Sequence, residues 1–109
     1  MANEPTGPRN PYADIAPGLA DYTERVLFGD VWTRTGLAPR DRGLVTVAAL
    51  VALYRENELP FHIKRALDNG VTREELTELI THLAFYSGWP TANTAIGIAR
   101  RVFEEREQS

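Results

Sequence analysis

Nine consecutive residues, Asp68-Asn69-Gly70-Val71-Thr72-Arg73-Glu74-Glu75-Leu76, restrict this chain more than any other stretch. Asn69-Gly70 is a helix C-terminus signal, because glycine enters the left-handed conformation that ends a helix without a Cβ clash. Thr72 and Glu75 have the spacing of a capping box, and Val71 and Leu76 occupy the hydrophobic-staple positions around it. One helix must therefore stop, and another start, within a few residues. The remaining punctuation repeats this theme. Pro17 suits the first turn of a helix broken by Gly29-Asp30, after which Val31-Trp32 anchors a loop to Gly36. Pro39 opens a second helix running to about Arg55, with Asp41 in its first turn beside the positive end of the dipole. A third helix starts near Asn57, which can cap it, with Pro60 tolerated in its first turn. The fourth ends at Gly88, and Pro90 starts the fifth.

Apolar spacing assigns faces to these helices. Ile15, Leu19, Tyr22, Val26 and Phe28 form the first stripe. Leu76, Leu79, Ile80, Leu83 and Tyr86 form that of the fourth helix. Ala92, Ala95, Ile96, Ala99, Val102 and Phe103 mark the fifth, and Glu104–Ser109 reads as a frayed, charged end. The stretch from Leu44 to Tyr54 is apolar nearly all round, which places it at the centre of a core or under another subunit. It is shorter than the roughly 20 residues needed to cross a bilayer. No strand pair or internal repeat stands out. The expected fold is all-α, a compact bundle of about five to six helices. Residues 1–10, with two prolines and a glycine, read as a flexible tail, and 11–109 as a single domain.

The chain has 109 residues, a formal charge of −3 and no cysteine. Thiolate zinc sites, disulfides and thiol redox chemistry are excluded by that last count. The acidic balance disfavours nucleic acid as a partner. MANEPTGPRN has no apolar core and so is not a signal peptide, and a cytoplasmic protein is expected. Two histidines, without an HExxH pattern, make a weak metal site, and no metal is expected. What remains is acid–base chemistry and anion binding. His62 lies one turn after Glu58 and three residues before Arg65, so the three share a helix face. His82 lies one turn before Tyr86. A short link joins their helices, making them expected antiparallel neighbours whose histidines approach one cleft. A histidine beside a carboxylate is a general acid/base device near neutral pH. Arg55 and Arg65 can grip a carboxylate through the guanidinium fork. Plainer roles are open too. Glu58 and His62 fit an ordinary surface pair, His82 a hydrogen-bonded half-buried residue, Tyr86 core packing, and Arg55 the end of the apolar helix.

From Leu27 to Ile96, the linked signals VW, RxRxLVTVAAL, RExELxxHxxxAxxNGVT and HxxxYxGWP resemble the carboxymuconolactone decarboxylase family. The same superfamily holds alkylhydroperoxidases with the pattern CxxCxxxHxxxAxxxGxT. Here Arg55 and Glu58 stand at the two cysteine positions, and Gly43 at the position of a helix-two glutamate, so thiol peroxidase activity is not carried over. The resemblance implies an all-α fold and a homo-oligomer, typically a hexamer built as a trimer of dimers, or else a trimer. It also implies cofactor-free opening of γ-carboxymuconolactone to the β-ketoadipate enol-lactone and CO2, in aromatic degradation. The implied site has His62 as proton donor, Glu58 orienting it, and His82 and Tyr86 facing the lactone oxygen. Arg55 would hold a substrate carboxylate, and Trp32 would line the pocket. Another lactone or cyclic keto acid as substrate, for isomerisation or proton transfer, or a non-catalytic small-acid-binding oligomer, fits the same residues.

Overall fold

Helices make up all the regular structure of the computed structural model, which describes residues 11–108. The expected tail at 1–10 lies outside the described residues. The chain divides at Pro39/Arg40 into two compact units. In the first, α1 (Pro17–Asp21) runs on as a π-helical stretch, Tyr22–Phe28, and a single 3₁₀ turn spans Val31–Thr33. Gly29 ends the wide coil because a Cβ there would stand 2.6 Å from the Arg25 carbonyl oxygen and 2.8 Å from that of Glu24. Ala20 and Phe28 are buried, while Ile15, Leu19 and Tyr22, expected on the buried stripe, are exposed.

The second unit holds α2 (Pro39–Ala52), α3 (Leu59–Asp68), α4 (Arg73–Ser87) and α5 (Trp89–Gln108). α2 stops three residues before Arg55. The Arg55 amide donates back to the Leu50 carbonyl and the Tyr54 amide to that of Val51. This is the Schellman pattern, with Tyr54 in the left-handed position at φ 60°. α3 starts two residues later than expected. Glu58, not Asn57, is its N-cap residue, with Pro60 just inside the helix. The far end of α3 repeats the Schellman pattern. Val71 donates to Ala66 and Gly70 to Leu67, with Gly70 at φ 100°. Two residues on, the Thr72 hydroxyl accepts from the Glu75 amide at 3.0 Å and the Glu75 carboxylate accepts from the Thr72 amide at 3.0 Å. Val71 and Leu76 are both buried, as a staple requires.

One apolar core joins the four helices, with Val47, Val51, Leu59, Ile63, Leu76 and Ala99 at its centre. α3 and α4 come closest not to each other, as their short link suggested, but each to α5. Small residues on α5 allow the approach, since Ala92, Ala95 and Ala99 are all buried. On α4 the buried residues are Leu76, Ile80 and Ala84, while Tyr86, expected on the apolar stripe, is 77% exposed. On α5 Ile98 is buried and Ile96 is 37% exposed. The end of α5 is helical to Gln108 rather than frayed. Ion pairs fasten it: Arg106 to Asp68 of α3 at 3.0 Å, Glu105 to Lys64 of α3 at 3.8 Å, and Glu107 to Arg73 of α4. The Arg73 guanidinium also lies 4.8 Å from the Phe103 ring centroid. No helix among the described residues is long and apolar enough to cross a membrane.

Candidate active site

The α2–α3 hairpin positions the first group of polar side chains. The start of α2 meets the end of α3, where a Cβ at Gly43 would lie 3.3 Å from the Cα and Cβ of Ala66. Arg42 and Arg65 are the chain neighbours of that contact. One turn along, Thr46 shares a face of α2 with Arg42, and one turn back, His62 shares a face of α3 with Arg65. Arg42, Thr46, His62 and Arg65 are each half-buried. Glu58 is exposed at the α3 N-terminus, where its carbonyl accepts from the His62 amide at 3.4 Å.

Electrostatics bind the same residues together. Burial pushes the His62 imidazole below its usual pKa, the Arg65 charge pushes it the same way, and the Glu58 carboxylate opposes both. Burial also lowers the Arg65 guanidinium, against the pull of Asp68. The Phe61 ring meets the His62 ring edge-on, with centroids 4.9 Å apart. A half-buried imidazole between a carboxylate and a guanidinium can move a proton to or from an acid lying on this flank.

Arg55 sits in the exposed turn that closes the hairpin, where its carbonyl accepts from the Glu58 amide at 3.2 Å. His82 and Tyr86 stand elsewhere. Their rings stack with centroids 4.8 Å apart. His82 lines an open, largely apolar groove of about 570 Å³ between α2 and α4, with Leu44, Val45, Ala48, Leu79 and Leu83. On the α2 surface those three residues lie away from the Arg42/Thr46 flank. His62 is not among the residues that line this groove. Trp32 is buried in the N-terminal unit, its ring stacked on Phe28 with centroids 6.3 Å apart. Sequence reasoning passed over Arg42 and Thr46. The available signal was their spacing of four on α2, but reading it requires knowing which face of α2 meets α3. Among the described residues, no three His, Asp or Glu side chains gather as a metal cluster.

Comparison with known proteins gives this arrangement its context. Residues 17–101 match the model of the carboxymuconolactone decarboxylase family. A 4-carboxymuconolactone decarboxylase of Acinetobacter baylyi is 42% identical over 92 residues, covering 84% of this chain and 69% of the relative. A nitrosuccinic acid decarboxylase of Metarhizium robertsii is 32% identical over 97 residues, covering 89% of this chain and 67% of the relative. The match takes in Arg42, Thr46, Glu58, His62 and Arg65, all within the part of the chain the family model spans. With a helical fold, a polar flank around one half-buried histidine and this extent of identity, the chain belongs to the carboxymuconolactone decarboxylase family.

Proposed function

We propose that the protein is a cofactor-independent decarboxylase of a small carboxylic acid, with a butenolide such as γ-carboxymuconolactone as the first candidate substrate. The observation that carries the reading is the half-buried His62 between Glu58 and Arg65, on the seam of α2 and α3 in a chain of this family. Decarboxylation breaks the C–C bond to the carboxylate and leaves its electron pair on carbon. In the butenolide, the ring alkene and lactone carbonyl accept that pair as a dienolate. One proton then completes the exchange of CO2 for H, and His62 supplies it. Glu58, one turn before it, favours the protonated imidazole and orients the ring. Arg55, at the open end of the hairpin, meets the incoming acid. The protein's contribution is orientation, stabilisation of the oxyanion and delivery of the proton.

His82 lines a groove that His62 does not, and its ring stacks on Tyr86, which supports a reading in which this pair serves the lactone oxygen at a second chain's site. We therefore propose a homo-oligomer, in the family's trimer-of-dimers form, whose neighbour presents this pair. Mixed oligomers of His62→Ala and His82→Ala chains then regain activity that neither variant has alone. Failure to regain it removes the shared site.

The primary test is turnover of γ-carboxymuconolactone, followed by loss of butenolide absorbance and release of CO2, with nitrosuccinate assayed beside it. Wild-type turnover that falls about a hundredfold or more in His62→Ala is the expected result, the scale of losing a general acid. Turnover unaffected by that substitution moves the proton donor elsewhere. No turnover of either acid by the folded protein overturns the reading.

A further inference from the structure

We infer that Tyr54 is a positioning residue for Arg55: its hydroxyl, with that of Thr94, ties the exposed turn between α2 and α3 to α5. The inference rests on the decarboxylase reading, in which Arg55 meets the incoming acid, and deepens it. Its first ground is conformational. Tyr54 stands at φ 60°, while the other left-handed positions among the described residues, Gly70 at 100° and Gly88 at 106°, are glycines. Glycine enters that region freely, whereas a Cβ there crowds the following carbonyl oxygen. A bulky residue held so is strained, and such strain gathers at functional sites. Burial does not account for the tyrosine, which is 54% exposed.

The second ground is the reach of the phenol. The Tyr54 and Thr94 hydroxyls stand 3.3 Å apart, joining positions 40 residues apart in the chain. Residues 52–58 are all exposed, so no apolar burial holds the turn down. Among the described residues, the Tyr54–Thr94 bond is the one side-chain hydrogen bond of that turn. Backbone bonds give the turn its shape without fastening it to α5. The Arg55 amide donates to the Leu50 carbonyl at 2.8 Å, and the Glu58 amide to the Arg55 carbonyl at 3.2 Å. Buried residues anchor either side, Val51 before the turn and Leu59 after it. Arg55 lies midway between them, where the tyrosine beside it supplies the missing anchor.

An arginine on a loose turn must give up backbone and side-chain freedom when an acid binds, and that loss weakens binding. A turn already tied to α5 has given up the backbone part beforehand. Glycine at position 54 would suit the left-handed backbone, but it would carry no tie and would loosen the chain beside Arg55. Tyrosine accepts a strained backbone and supplies the anchor. Tyr54 thus acts through Arg55, and proton transfer stays with His62. An arginine that binds the acid alike in ground and transition states governs KM, so loosening it raises KM and leaves kcat nearly unchanged.

Hydrogen exchange at the Glu58 amide, read by NMR on the full chain, tests the tie without substrate. Tyr54→Phe and Thr94→Val should each speed that exchange about threefold or more, the scale of one hydrogen bond, while the Ile63 amide within α3 is unaltered. The double variant should match either single one, since both remove the same bond. Exchange at the wild-type rate in either single variant overturns the tie. In turnover of γ-carboxymuconolactone, the same variants should raise KM by a similar factor with kcat nearly unchanged. Adding Tyr54→Phe to Arg55→Ala should raise KM no further, and a further rise overturns action through Arg55. Tyr54→Gly gives up strain and tie together, so it should raise KM without lowering the urea midpoint, and a wild-type KM in that variant overturns the inference. Exchange and turnover separate the two claims. Faster exchange in variants of a protein that turns over no lactone upholds the tie and removes the decarboxylase. Wild-type turnover with an unaltered KM in Tyr54→Phe removes the positioning role and leaves the decarboxylase.

Discussion

In the proposed role of His62 as proton donor, its surroundings work against the need. A proton donor must be protonated, yet burial and the neighbouring Arg65 favour the neutral ring, while Glu58 opposes them. An anionic acid on the same flank offsets Arg65, so the imidazole gains its proton most readily once substrate is bound. The free enzyme's kcat/KM should then fall as pH rises through a value below the usual histidine range, and kcat should fall at a higher pH. Histidine NMR titration should show the His62 pKa rising in Arg65→Gln and falling in Glu58→Gln. Stability follows the same sign. The folded pKa is depressed, so the stability contributed by neutral His62 is fully present above about 6.5, the unfolded value, and is lost as pH falls through the lower folded value. Urea unfolding of His62→Gln should show a flatter pH dependence across that window. The grouping of Glu58, His62 and Arg65 was legible in the sequence because i±3 and i±4 spacing is a property of one helix. What lies opposite this face was not, because that depends on how the helices pack against one another.

Local chemistry at the helix ends made most elements legible. The Thr72/Glu75 box and the Gly70 and Gly88 stops are decided by a few neighbouring atoms, and they stand where the sequence puts them. Replacing Thr72 by Ala should cost about 1 kcal/mol by denaturant unfolding, since it removes the acceptor for the Glu75 amide. Elements defined by their partners were harder to read. Leu79 and Ala84, or Ile96 and Ile98, fit helical spacing almost equally well, and packing on α5 chooses between them. The wide coil at Tyr22–Phe28 alters the period that stripe reading assumes. Gly43 shows what a crossing demands of one position. A Cβ there would meet Ala66 at 3.3 Å, close enough that α3 must give way by a few tenths of an ångström. Gly43→Leu should destabilise by about 1–3 kcal/mol through overpacking, and should shift the His62 resonance as the flank moves.

At the scale of the whole molecule, one chain leaves apolar surface uncovered in a pattern that a core cannot explain. Phe85 is 74% exposed and packs edge-on against Trp89, with ring centroids 5.1 Å apart, while Tyr86 stacks on His82 beside them. Val45 of α2 is 60% exposed on the groove that His82 also lines. Exposed aromatic and aliphatic surface gathered in this way is what a self-association face would present. It also accounts for the all-round apolar character of α2, whose inner residues Val47 and Val51 meet the core while its outer ones do not. A helix of that composition reads the same whether a fold or a second chain covers it. Burial in the core accounts for the inner residues of α2, and the expectation of a covering subunit concerns the outer ones alone. If the α4 corner is a self-association face, Phe85→Glu places a charge in the interface. Light scattering should then report a smaller particle than wild type at equal concentration. Activity should fall with it, because the His82–Tyr86 pair would lose the neighbouring site it serves. A wild-type mass equal to that of one chain, or a Phe85→Glu protein of unchanged mass, excludes this face. Loss of mass with full activity keeps the face and confines catalysis to the His62 flank of a single chain.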